Sequence, residues 1–262
     1  MSDPVGAGQP RGPWWAALGE ALRFLTIIPL PGLPPSTEAG VGRAIPFFPL
    51  AGLLLGALLA ACGLLLDALW GGAVRPVGVV VAWGVLTAGL HLDGLSDTFD
   101  AVMSWRPRER KLEIMRDSRI GAMGALALAA VLGLKVALLA AAGDSWLPAL
   151  LLAPALGRWA GVYGIVAFPP AREGGLGRTF QSMLRPRDFA FATATALLLA
   201  ALVAGPRGLV ALLLVWLAAH LLGRWWTRDL GGLTGDTYGA LCEIGEVVAL
   251  AALTASVTVV TG

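Results

Sequence analysis

Residues 44 to 66 read AIPFFPLAGLLLGALLAACGLLL, twenty-three positions without a charged side chain. As a helix they would extend about 35 Å, enough to cross a hydrocarbon core about 30 Å thick. Four more charge-free runs follow, at 76 to 92, 189 to 206, 208 to 223 and 247 to 262. Two further runs, 120 to 143 and 145 to 171, appear once a single internal basic residue is admitted in each, Lys135 and Arg158 respectively. The pattern predicts an all-α, polytopic membrane protein of about seven transmembrane helices, with residues 1–262 forming one integral membrane domain.

Composition supports this. Of the 262 residues 57% are apolar and 14% charged, and mean hydropathy is +0.76. A water-soluble domain carries about 25% charged residues, so the missing polar surface must face lipid. Disorder is excluded by the hydrophobicity. A net charge of +2 is too small for a nucleic-acid footprint. Cys62 and Cys242 lie far apart with no CxxC spacing, which excludes a disulfide scaffold and a thiolate metal site.

Outside the runs, residues 1–21 lack a basic region followed by an apolar core and read as a flexible tail with no cleavable signal. Four prolines interrupt LRFLTIIPLPGLPP (22–35), which predicts a re-entrant or interfacial segment. Glycines at four-residue spacing, Gly52 with Gly56 and Gly157 with Gly161, suit close helix contacts. Orientation comes from the basic residues, which accumulate in short cytoplasmic loops. The segments 1–43, 93–119, 172–188 and 224–246 hold 3, 6, 4 and 2 of them, against only Arg75 and Arg207 on the other side. The amino terminus is therefore expected in the cytoplasm and the carboxyl terminus outside. Trp70 and Trp146 mark the outer ends of spans, and Trp105, Trp225 and Trp226 the inner ends.

Fifteen of the 17 acidic residues fall on that same inner side, an asymmetry that the positive-inside rule does not explain. In HLDGLSDTFDA (91–101), Asp93, Asp97 and Asp100 are spaced i, i+4, i+7 and share one helical face. Like charges so placed repel, and no basic residue lies between Arg75 and Arg106 to neutralise them. A divalent cation would. In DLGGLTGDTYGALCEIGE (229–246), Thr234 is a candidate cap, and Asp236 and Glu243 lie on one face with Glu246 beyond. Hard carboxylate oxygens without Cys or paired His point to Mg²⁺ or Mn²⁺. Between these motifs, Arg116 and Arg119 flank Asp117, and Arg172 and Arg178 bracket a glycine-rich loop. Carboxylates for metal and guanidinium groups for oxygen anions are the parts phosphoryl chemistry needs. A charge inside a span is costly, which marks Arg158 for a functional or ion-pair role and, less sharply, Lys135. His91 and His220 read as packing residues, and two histidines do not make a zinc site.

The strings HLDGLSDTFDA, KLEIMRDSRIGAMG, AREGGLG and GGLTGDTYGALCEIGE, in this order, resemble the cobalamin synthase family, the adenosylcobinamide-GDP ribazoletransferases, as do FLTIIPLP and PFFPLAGLLLG near the start. The resemblance spans about residues 22 to 250. It implies a Mg²⁺-dependent enzyme of the cell (inner) membrane, acting on adenosylcobinamide-GDP and α-ribazole or its 5′-phosphate and releasing GMP. It leaves room for a homo-oligomer or an association with other nucleotide-loop assembly enzymes. Asp93, Gly94, Asp97, Asp100, Asp117, Arg119, Arg158, Gly235, Asp236 and Glu243 fall on family-like positions; Asp229 does not, and Ile27 and Ile28 replace a basic residue common in the family's opening. The resemblance implies metal held by Asp93, Asp97, Asp100, Asp236 and Glu243, and Asp97 or Asp100 as base. Substrate phosphate falls to Arg116, Asp117, Arg119, Arg158, Arg172 and Gly235. One rival is a CDP-alcohol phosphotransferase, but Leu95, Ser96, Asp97 and Thr98 replace that family's DGxxAR continuation. The other is a cation-dependent transporter, which predicts acids within the spans, where the charge-free runs place none.

Overall fold

The computed structural model describes residues 13–33, 35–172 and 176–255. Eleven α-helices lie among them: α1 (Trp14–Leu25), α2 (Glu38–Ala44), α3 (Phe48–Trp70), α4 (Arg75–Leu86), α5 (Leu90–Val102), α6 (Arg108–Ile114), α7 (Ala122–Ala141), α8 (Trp146–Ala167), α9 (Leu176–Met183), α10 (Pro186–Leu230) and α11 (Gly235–Thr254). The only extended pairing among the described residues is an isolated bridge between Pro170 and Leu233. The chain is an all-α, multi-pass membrane protein. Among the described residues five helices are long and apolar enough to cross a bilayer, or six if α4 and α5 count as one broken span.

The long helix α10 is two limbs. Its 45 residues would measure about 68 Å if straight, more than twice a hydrocarbon core. Gly205 breaks it with φ 56° and ψ −137°, immediately before Pro206. Gly208 then lies so close to the Ala200 carbonyl that the two limbs must fold back on each other. The charge-free runs 189–206 and 208–223 meet at this bend.

α8 is the centre of the bundle. A side chain on Gly52 or Gly56 of α3 would strike the backbone carbonyls of Pro154 and Leu150, and one on Gly157 of α8 would strike the carbonyl of Cys242 on α11. The four-residue glycine spacing thus lets α3 and α11 approach α8 backbone to backbone. At one end, Arg75 pairs with Asp67 at 2.5 Å and covers the Trp146 ring at 4.5 Å. At the other, Lys111 binds both carboxylate oxygens of Asp229 at 2.6 and 2.7 Å, and Arg108 donates to the carbonyls of Leu230 and Ala171.

Three boundaries differ from the sequence expectation. α1 takes in residues 14–21, so that part of the expected tail is helix; residues 1–12 lie outside the described residues. The segment expected at 22–35 begins inside α1, and beyond Leu25 the chain leaves the helix, where the Ile27 N–H donates to the Leu86 carbonyl at the end of α4. The last span was expected at 247–262, but α11 starts at Gly235. Ending a run at its last acid misplaces this span, because Glu243 and Glu246 are themselves inside it and are neutralised there by the two basic residues of neighbouring spans. The Lys135 Nζ on α7 binds the Glu243 carboxylate at 2.7 Å and also that of Glu246, and Arg158 on α8 binds the other oxygen of Glu246. All four side chains are almost wholly buried, and the Lys135 ammonium also sits 4.2 Å above the Trp83 ring of α4. Two cations and two anions cancel, which makes their burial tolerable. The expected lack of acids within the spans is therefore overturned.

Candidate active site

α5 turns 89° from α4 after Thr87, Ala88 and Gly89, of which the last two have positive φ. Its far end is tied to the start of α7: Asp100 accepts the Gly121 and Gly124 N–H groups at 2.7 and 2.8 Å, a carboxylate at a helix N-terminus. Its near end crosses the start of α11. There a Cβ on Gly94 would meet the Asp236 carbonyl oxygen at 2.7 Å, and one on Gly239 the His91 Cα at 3.3 Å. α5 therefore lies along the bundle's edge, bridging the first turns of two spans. Two glycines allow the crossing, and the crossing brings the two acidic motifs together.

Asp93 is exposed at this edge, and Asp97 and Asp236 are half-buried. Burial, and after it the carboxylates of Asp93 and Asp236 with smaller contributions from Asp100 and Asp117, pushes the Asp97 carboxyl up to about 7. Thr234 caps α11 as expected: it accepts from the Thr237 N–H, the Thr237 hydroxyl accepts the Thr234 N–H at 2.8 Å, and the Thr234 hydroxyl donates to Asp236. The Arg172 side chain donates to the Leu112 carbonyl at 2.5 Å. Burial and the neighbouring Arg116 guanidinium lower its pKa, and Asp236 opposes that shift. The Arg172 guanidinium thus lies within electrostatic reach of both the Arg116 guanidinium and the Asp236 carboxylate, a position suited to an oxygen anion.

Other expected site residues are engaged elsewhere. Asp117 and Arg119 form an exposed pair at 2.5 Å, whose bonds hold the Asp117 carboxyl down to about 2. Glu243 lies within the buried ion network, and both oxygens of Asp100 cap α7. Residues 173–175 of the glycine-rich loop lie outside the described residues; Arg178 is exposed on α9. Among the described residues no three His, Cys or carboxylate side chains converge closely enough to hold a metal ion by themselves. Both cysteines are free, and His220 packs on Trp216 and bonds Tyr163, as a structural histidine would.

A cavity of about 150 Å³ opens beside Asp93 and Asp236. It reaches Arg158 and is closed by aromatic rings from distant parts of the chain. Sequence reasoning missed this cavity, since nothing in the local pattern around Phe24, Phe48 or Phe180 relates them. It also set Asp229 aside, although the Lys111 contact makes that residue a clamp between α6 and α10.

The family model described as cobalamin-5-phosphate synthase matches residues 17–254. The chain belongs to this family. An adenosylcobinamide-GDP ribazoletransferase of Roseiflexus sp. is 70% identical over 257 residues, 97% of this chain and 96% of the relative. That of Herpetosiphon aurantiacus is 52% identical over 240 residues, covering 92% and 96%, and that of Escherichia coli 39% over 249 residues, covering 92% and 98%. No solved structure matches. Membership in the cobalamin-5-phosphate synthase family covers both acidic motifs, the intervening arginines and the intramembrane ion network, all of which lie within the matched residues.

Proposed function

We propose that the protein is an adenosylcobinamide-GDP ribazoletransferase: it transfers the adenosylcobinamide-phosphate group to the ribose hydroxyl of α-ribazole or its 5′-phosphate and releases GMP. The observation that carries the reading is the gathering of Asp93, Asp97 and Asp236 at the α5–α11 crossing, with Arg172 near Asp236, in a chain whose relatives bear that name.

The donor set fits Mg²⁺. Magnesium keeps several waters and is usually held by one or two carboxylates plus substrate phosphates, so the absence of a complete protein cage among the described residues suits a metal that arrives with a diphosphate. Asp93 and Asp236 would hold it. When bound it would offset the charge of the diphosphate and of the departing GMP. Arg116 and Arg172 bind phosphate oxygens near Gly235, at the positive end of the α11 dipole. Asp97 takes the proton of the attacking ribose hydroxyl. It is half-buried beside Asp93 and Asp236 at the crossing, whereas Asp100 is committed to two backbone N–H groups.

Counting the α10 limbs separately and α4–α5 as one broken span makes seven crossings. The revised boundaries move no basic residue to the opposite end, so the basic-residue asymmetry supports a cytoplasmic amino terminus and active site in the cell membrane. Purified protein in lipid should release GMP from adenosylcobinamide-GDP only with both ribazole and Mg²⁺ present. Absence of product from folded protein under those conditions refutes the assignment.

A further inference from the structure

The cavity beside the carboxylates has an aromatic wall that phosphoryl transfer does not require. Phe24 of α1, Phe48 of α3 and Phe180 of α9 each contribute one ring to it. Phe24 stacks on Phe48 at 5.8 Å between centroids, and Phe180 meets Phe24 edge-on at 5.9 Å. Tyr238, His91 and Arg158 also line it, and each has buried polar atoms without a hydrogen-bond partner: the Tyr238 hydroxyl, His91 Nδ1, and Nε and Nη2 of Arg158. Buried polar atoms ordinarily find partners, so a cavity lined by three such side chains and three phenyl rings is fitted to a ligand that both stacks and hydrogen-bonds.

Size narrows the ligand. About 150 Å³ is below the roughly 300 Å³ at which pockets begin to enclose a drug-sized molecule, and matches a cavity that takes one aromatic ring. Within that volume one flat ring system fits, with the rest of its molecule extending out of the mouth. The proposed reaction brings two such rings, the guanine of the leaving group and the benzimidazole of ribazole. Guanine carries donors and acceptors around most of its edge, and phenyl walls would leave them unpaired. The dimethylbenzimidazole of ribazole offers two methyl groups to apolar walls and a single free ring nitrogen, an acceptor that one buried donor satisfies.

We infer that this cavity binds the benzimidazole base of the ribazole acceptor, packed against Phe24 and Phe180, with its ring nitrogen accepting from the Tyr238 hydroxyl. The inference rests on the proposed reaction and names the subsite for one of its two substrates. Asp93 and Asp236 line the same cavity, so a base held there leaves its ribose facing the carboxylate cluster.

The test is steady-state GMP release by protein in lipid nanodiscs, varying each substrate in turn, for wild type, Phe180→Leu and Tyr238→Phe. Phe180→Leu keeps apolar volume but loses the ring, and should raise the ribazole KM about tenfold; Tyr238→Phe loses only the hydroxyl and should raise it about fivefold. The KM for adenosylcobinamide-GDP should stay within about twofold of wild type. Free dimethylbenzimidazole should compete with ribazole and guanosine should not. A KM effect that falls on adenosylcobinamide-GDP, competition by guanosine, or a loss of kcat with both KM values unchanged overturns the inference. Calorimetric titration of ribazole alone separates this failure from failure of the reaction. If wild type makes no GMP yet binds ribazole, and Tyr238→Phe weakens that binding, the subsite stands without the reaction; equal binding by both sinks it.

Discussion

Gly94→Ala probes the juxtaposition on which the site depends. The new methyl carbon would stand 2.7 Å from the Asp236 carbonyl oxygen and 3.0 Å from its Cα, against 3.4 Å for the start of ordinary contact. Both obstructing atoms are backbone, so no side chain can swing aside, and α5 must move from α11 by about 0.7 Å. That displacement separates Asp93 and Asp97 from Asp236. Overpacking of this kind costs about 1–3 kcal/mol of stability, while a misplacement near 1 Å in a reacting assembly costs on the order of 100-fold in rate. Turnover should therefore fall about 10- to 100-fold, out of proportion to a modest loss of thermal stability. Gly239→Ala, whose methyl meets the His91 Cα at 3.3 Å, should be milder. Gly133→Ala on α7 meets nothing within 4 Å and should leave turnover intact. GMP release and thermal unfolding, measured on all three variants in lipid, give the comparison. Gly94→Ala turnover within twofold of wild type would show that the two acidic motifs do not act as one unit.

Asp93→Asn and Asp236→Asn should each cut GMP release at least about 100-fold with membrane insertion unchanged, and chelation should stop the wild-type reaction until Mg²⁺ is restored; near-normal rates in either variant, or indifference to chelator, contradict the metal assignment. Glu246→Gln strips the main counter-charge from Arg158 and one from Lys135, and should destabilise the fold by about 3–5 kcal/mol. Replacing Lys135 with Met and Glu243 with Gln together should cost much less, so equal losses in thermal scans would argue against a charge-balanced network. For Asp97 the folded pKa near 7 lies above its ordinary value of 3.8, so folded protein holds a proton that the unfolded chain has released. The stability this contributes is present below about pH 4 and is lost as pH rises through 7. Metal-free wild type should thus lose thermal stability between about pH 4 and 7 and Asp97→Asn should lose less; parallel profiles would remove Asp97 from the carboxylate cluster. A reporter fused after Gly262 should be active outside the cell membrane, and a cytoplasmic signal there would require an even number of crossings.

The bundle was legible because a bilayer imposes a length on every span, and runs such as 120–143 and 189–206 have that length with almost no charge. The acidic face of α5 was legible for the same kind of reason: three aspartates at helical spacing without a nearby cation leave little freedom of interpretation. What local pattern could not show was compensation across helices. Glu243 read as a membrane-edge ligand, and Glu246 as an acid just beyond it, because their partners, Lys135 and Arg158, are about a hundred residues away in sequence, and an unpaired acid belongs outside a span. Asp100 read as a metal ligand because a carboxylate's spacing says nothing about which N–H groups the fold will present to it. The aromatic cavity depends on α1, α3 and α9 meeting, and no periodicity within any one of them encodes that meeting.

The buried ion network is not explained by stability alone, since replacing such a network with well-packed apolar side chains is often neutral or stabilising. Its geometry supplies another account. Arg158 spends Nη1 on Glu246 and keeps Nε and Nη2 without a partner at the cavity. Without Glu246 the guanidinium would be an unpaired charge in hydrocarbon; with Glu246 fully shared by Lys135 and Arg158, the cation is tolerated at that depth while part of its donor fork stays free. Glu243 and Glu246 also lie about two and three helical turns beyond Asp236 on α11, so the same contacts that neutralise Arg158 fix the rotation of the helix that presents Asp236 to α5. A network that holds a donor at the cavity and sets the register of a carboxylate at its mouth has a positioning role that an apolar replacement could not fill, however well it packed.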